Sequence, residues 1–147
     1  MVDEAVSILS HLISIPSVSR NEKEAADYIF NYLKEHGANP QRHCNNVWCE
    51  QPIAKENRPT LLLNAHIDTV KPAASWQHNP FEPTIENGRL YGLGSNDCGG
   101  GLVSLMLTYL SLQNEKSLPY HLVFLASAEE EVSGKNGIEA ALPLLPP

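Results

Sequence analysis

Two apolar runs of strand length end abruptly on chemically able side chains. The first is "TLLLNAHIDTV", residues 60–70, where three leucines lead to His66 and Asp68. The second is "YHLVFLASAEEE", residues 120–131, which runs into Glu129, Glu130 and Glu131. Continuous apolar runs of this length read as strands buried on both faces, typical of sheets covered by helices. Between them Leu102 to Leu112 forms a strong helical pattern. A strand, a helix and a second buried strand predict a β-α-β arrangement. Ligands in such sheets sit beyond the carboxyl ends of the strands. His66, Asp68 and the three glutamates fall at those ends.

The flanking segments fit the same architecture. Val2, Ala5, Val6, Leu9, Leu12 and Ile13 recur at helical spacing, so residues 3–14 predict an amphipathic helix that Pro16 stops. "SRNE", Ser19 to Glu22, has the form of a capping box ahead of a second helix bearing Ala25, Ala26, Ile29, Phe30 and Leu33. Gly37 and Pro40 mark its end. "NNVWCE" reads as a short strand. Residues 71–90 hold three prolines and little periodicity, and they predict a long ordered loop of functional interest. "RLYGLGSND" is a glycine-rich lead to Asp97, and "GKNGIEAAL" starts a further helix. The expected fold is an α/β class, three-layer α/β/α sandwich.

Charge and composition exclude several classes of function. Ten Lys and Arg stand against 17 Asp and Glu, a formal net charge of −7. No basic patch interleaves with aromatics, which argues against nucleic acid and anionic membranes. No apolar run is long enough to span a bilayer, and the first residues lack the form of a secretory leader. Cys44, Cys49 and Cys98 are odd in number and form no C-x-x-C pair, which fits a reducing, cytoplasmic setting.

Each polar feature alone has an ordinary reading. An H-x-D triplet is usually a solvated loop pair. An Asp before a glycine run is usually an N-cap or turn residue, and a glutamate run is usually a solvated helix start. Together they supply imidazole nitrogen and carboxylate oxygen, the donors that suit Zn²⁺. Residues i and i+2 of an extended chain point the same way. His66 is therefore expected to bind metal while the Asp68 carboxylate accepts a hydrogen bond from its other ring nitrogen.

"HIDTV", Trp76 with Pro80 and Phe81, Gly88 to Asp97, and "AEEE" before a glycine-containing turn occur in that order. The combination resembles the zinc aminoacylase and carboxypeptidase family over roughly residues 5–140. That family includes acetylornithine deacetylase, succinyl-diaminopimelate desuccinylase, aminoacylase and glutamate carboxypeptidase. The resemblance implies that His66 is a zinc ligand and Asp68 its orienting partner. It implies that Asp97 bridges two zinc ions, Glu130 is the general base and Glu131 binds the second zinc, with Glu129 in the leading acidic position. A slip of one residue along the glutamate run is the alternative. The implied cofactor is a pair of Zn²⁺ ions, with cobalt as the alternative. The implied reaction is hydrolysis of the amide of an N-acylated amino acid, a small-molecule substrate. The resemblance is read as closest to acetylornithine deacetylase, hence arginine biosynthesis. A dipeptidase or carboxypeptidase of the same family is the runner-up, and an inactive fragment lacking ligands is the third reading.

Departures from the family pattern shape these expectations. Gly99 stands where the family commonly has Lys. Cys98 follows a ligand position and is weighed as a packing residue rather than a thiolate ligand. The family's further acidic ligand, its final His and its smaller dimerisation and lid domain have no counterpart in residues 1–147. The expectation is therefore the N-terminal part of a catalytic domain whose parent is a homodimer. His11, His36 and His121 read as structural. His43 with Cys44 and Cys49 is a weak metal pattern. His78, in the long loop, is the candidate for substrate contact.

Overall fold

The computed structural model describes residues 2–52 and 58–146. Helix α1, Val2–Ser14, opens with Asp3 and Glu4, whose charges suit a helix amino end. Its Ile8, Leu12 and Ile13 are buried. Helix α2, Lys23–Glu35, buries Ala25, Ala26, Ile29 and Leu33 on one stripe. The Tyr32 hydroxyl donates to Glu4 Oε1 at 2.9 Å and ties the two helices.

A hairpin follows, β1 at Gln41–His43 and β2 at Asn46–Glu50. Strand β3 is Thr60–His66. A second hairpin, β4 at Thr84–Glu86 and β5 at Arg89–Tyr91, lies inside the segment expected to be a loop. Strands of three residues are too short to show periodicity in sequence. A π-type turn at Ser95–Gly99 then leads into helix α3, Gly100–Leu112. Strand β6 is His121–Ser127. A 3₁₀ turn at Glu130–Val132 and a one-turn helix α4, Ile138–Ala141, complete the order, followed by a 3₁₀ turn at Leu142–Leu144.

The main sheet has the order β1-β2-β6-β3. β6 pairs parallel with β3 and antiparallel with β2, so the sheet is mixed. β6 is buried at every position. Leu122, Phe124 and Ala126 face a core built with residues of α1, α2 and α3. Leu125 faces the opposite side, where it meets Trp48, Leu62, Ala141 and Leu145. The architecture is α/β with three layers, and α4 with its following turn forms the thin second helical layer. No helix among the described residues is long and apolar enough to cross a membrane.

The expectation that "TLLLNAHI" is buried on both faces does not hold. β3 is the outer strand of this sheet among the described residues, and Leu61 is 39% exposed. An apolar run reports the strand, not how many neighbours cover it.

The parallel β3–β6 pair positions the site. His66 lies opposite Ser127, and the Ile67 N–H extends the ladder to the Ser127 carbonyl at 2.8 Å. Asp68 and Glu129–Glu131 therefore leave the sheet side by side. Truncating the central side chain should test this core. Phe124→Ala is expected to lower unfolding free energy by about 3–5 kcal/mol in denaturant titration, and a loss below ~1 kcal/mol would mean a core that collapses around the gap.

Candidate metal centre

His66 is set by its own strand end. Its Nδ1 lies 2.9 Å from the Asp68 carbonyl oxygen, so the Nδ1 hydrogen donates to main chain two residues on. The Asp68 carboxylate stands 3.6 Å from Nδ1, an ion-pair distance. The carboxylate hydrogen bond expected from sequence is therefore replaced by one to the same residue's carbonyl. Either contact leaves Nε2 facing outward from the strand end.

Three carboxylates gather around Nε2. Asp97 Oδ1 is 3.0 Å away and Glu130 Oε2 is 3.7 Å away. His66, Asp97 and Glu131 each offer one ligand atom, all within 4.8 Å of one another. One nitrogen and two carboxylate oxygens at that spacing fit a divalent ion such as Zn²⁺. The structure thus brings together the three residues expected as ligands and places the expected base, Glu130, at their edge.

The supports come from separate parts of the chain. Asp97 sits in the π-type turn, with φ −120 and ψ 99 inside it and Gly94 at φ 75 before it. The peptide between Asp97 and Cys98 is cis. A side chain at Gly99 would come within 2.6 Å of the Gly94 carbonyl oxygen and of Leu9, so the lysine of the family pattern has no room in this packing. Cys98 packs against the core, as its sequence context suggested.

Within the glutamate run, Glu129 stands apart from the cluster. It is buried, and its Oε1 accepts from Asn136 Nδ2 at 3.0 Å, pointing away from the cluster. A Cβ at Gly134 would fall 1.8 Å from Glu129 Oε2, so the glycine of "VSGKNG" makes room for this side chain.

Asp68 holds the turn in place. Its Oδ1 accepts the Glu130 N–H at 3.0 Å and its Oδ2 accepts the Glu131 N–H at 3.1 Å. Oδ2 also accepts the Ser19 hydroxyl at 2.7 Å. Ser19 is therefore no helix cap. The Val18–Thr69 bridge carries it to Asp68 instead, and α2 begins behind Glu22 without a side-chain cap. Asn46, wholly buried, was not singled out by sequence. Its Oδ1 accepts the Ala128 N–H at 3.0 Å and its Nδ2 donates to the Asn136 carbonyl at 2.6 Å, so it pins both ends of the loop. An isolated Asn in a strand carries no signal of such a role.

Other sequence candidates lie elsewhere. His43 and Cys44 are exposed while Cys49 is buried in the core, so they do not converge. Burial, with Glu50 nearby, pushes the Cys49 thiol up to about 12, unlike a metal thiolate. His78 stacks on Tyr91 at 4.7 Å. A cleft of about 340 Å³ beside the cluster is lined instead by Val70, Trp76, Leu93, Asp97 and Glu131 among others.

The Asp68 carboxylate raises His66 to about 10; burial opposes this, and Asp97 adds to it. Burial alone would raise Asp68, but His66, Ser19 and the two turn N–H groups hold it down at about 2. Desolvation and the charge of Asp97 raise Glu131.

The chain resembles known proteins at this level of detail. The pattern of peptidase family M20/M25/M40 matches residues 62–145. A succinyl-diaminopimelate desuccinylase of Helicobacter pylori is 33% identical over an alignment taking in 95% of this chain and 40% of that protein. An M20 family metallo-carboxypeptidase from Sulfolobus solfataricus superposes with a TM-score of 0.73 at 27% identity, over 88% of this chain and 32% of that one. The YXEP protein of Bacillus subtilis, a dinuclear metal binding peptidase, superposes with a TM-score of 0.72 at 20% identity, over 96% and 38%. The chain spans about a third to two fifths of the length of the curated relatives it matches.

The two shifted groups set a pH signature for the metal-free chain. Asp68 titrates below its ordinary 3.8, so its contribution to stability is full above 3.8 and is lost as pH falls toward 2. His66 titrates above its ordinary 6.5, so its contribution is full below 6.5 and is lost as pH rises through about 10. Urea unfolding across this range should show both limbs. Asp68→Asn should flatten the acid limb, and a variant profile parallel to wild type there would remove the perturbed carboxylate.

Proposed function

This chain belongs to peptidase family M20/M25/M40, and we propose that it carries the first part of a metal-dependent site that hydrolyses the amide of an N-acylated amino acid. The observation that carries the reading is the His66–Asp97–Glu131 cluster with Glu130 at 3.7 Å from the imidazole. His66, Asp97 and Glu131 would hold the metal, and zinc suits the donor set. Bound there, the metal supplies a Lewis acid and water of lowered pKa.

The chain's own groups do the rest. Asp68 fixes the imidazole through its carbonyl, and its carboxylate fixes the turn. Glu130, with its side chain 58% exposed, is free to reach a water molecule. It takes that water's proton as attack on the amide carbon begins, then delivers the proton to the leaving nitrogen. The carboxylate starts and ends ionised, so no covalent enzyme intermediate is required. The cleft beside Trp76 and Val70 offers room for part of the substrate.

The desuccinylase relatives support an acylated amino acid as substrate, and the carboxypeptidase relative supports a peptide. N-acetylornithine, N-succinyl-diaminopimelate and a simple dipeptide, assayed side by side, separate these readings. In this reading the segment is the N-terminal part of a catalytic domain, and it spans two fifths of the desuccinylase relative's length. A cytoplasmic, homodimeric parent goes with this reading.

In a preparation active on one of these substrates, Glu130→Ala should cut turnover by roughly 10²–10⁴-fold and leave metal content unchanged. Activity retained with metal lost would reassign the glutamate run. Asp68→Ala should weaken zinc affinity by roughly 10–100-fold, and unchanged affinity by calorimetry would remove its supporting role.

A further inference from the structure

Glu22 has no exposed surface. A carboxylate so placed must be met by donors, because leaving it bare is costly. Its Oε1 accepts the Arg20 N–H at 2.5 Å and the Glu129 N–H at 3.3 Å. Its Oε2 accepts from Asn45 Nδ2 at 3.0 Å. The Glu129 contact spans 107 positions of sequence and reaches the residue just ahead of Glu130 and Glu131.

That residue needs holding. Glu129 has φ 55 and ψ 25, the left-handed region that side chains other than glycine adopt at a cost. Asp68 accepts the next two N–H groups. Two buried carboxylates, 46 positions apart in sequence, thus accept three successive main-chain donors. Glu22 itself touches neither the imidazole nor the other cluster residues through any of these bonds.

We propose that Glu22 is a positioning residue for the candidate site. It fixes the main chain of Glu129, and so the direction in which Glu130 and Glu131 leave the turn toward His66 and Asp97. The hold on the turn stands on geometry alone, and its consequence for metal rests on the function proposed above.

The test combines amide hydrogen exchange by NMR with zinc titration by calorimetry on residues 1–147. Glu22→Ala removes all three acceptor contacts. Glu22→Gln keeps the shape and one acceptor oxygen, and it carries the test should the alanine variant not fold. Amides of Glu129, Glu130 and Glu131 should exchange roughly five- to tenfold faster in Glu22→Ala. Glu22→Gln should fall between it and wild type, with Leu122–Ser127 unchanged in both. The zinc dissociation constant should rise about tenfold, and less in Glu22→Gln.

Unchanged exchange at the three glutamates overturns the proposal, as does faster exchange spread evenly along β6. Local loosening with unaltered zinc affinity overturns it too, leaving a purely structural carboxylate. If wild type binds zinc no better than His66→Ala, the metal-centre reading fails, and the exchange data alone decide whether Glu22 holds the turn.

Discussion

The Asp68 carboxylate is the joint on which the candidate site depends. It is 1% exposed, and it connects three stretches of chain: the Ser19 hydroxyl, its own strand end, and the main-chain N–H groups of Glu130 and Glu131. A buried anion is tolerable only with its lone pairs met by donors. Once those donors are in place, they cannot move without baring the charge. The need to satisfy one carboxylate therefore fixes where the glutamate turn sits relative to His66. The imidazole is governed separately, through the Asp68 carbonyl. One residue thus aligns two ligand-bearing segments with two different groups.

The sheet makes this possible. β3 and β6 are parallel neighbours, so both deliver their carboxyl ends to one edge of the fold. α3 starts on the same side, because the π-type turn carrying Asp97 directly precedes it. Small residues then permit the close approaches. Gly94 turns the chain in the left-handed region, and Gly134 leaves space for the buried Glu129 side chain.

Much of this was legible in sequence, because the chemistry-bearing residues stand where apolar patterns stop. His66, Asp97 and the glutamate run stand out by donor type and by position at strand or turn ends, while the choice of Glu131 within the run rests on the family resemblance. The three long helices follow from apolar spacing within a few residues, while the last one starts at Ile138, later than "GKNGIEAAL" suggests. What was misread depended on distance. "SRNE" has the local form of a capping box, yet Ser19 reaches Asp68 across 49 positions and Glu22 reaches Glu129 across 107. A local pattern cannot reveal that its side chains are engaged elsewhere. Asn46 was missed for the same reason. The β4–β5 hairpin escaped because three residues carry too little alternation, and the exposure of β3 escaped because apolarity does not count neighbours.

That exposure has a colloidal consequence. Along β3 the sequence Thr-Leu-Leu-Leu-Asn-Ala-His carries no Lys, no Glu and no Pro, the features that usually blunt a sheet edge. Among the described residues no strand lies along its outer side from Leu61 to His66, where another extended segment can pair. Within a larger sheet such an edge is a seam for the next strand. At high concentration, an edge of this kind favours pairing with an extended segment of another chain.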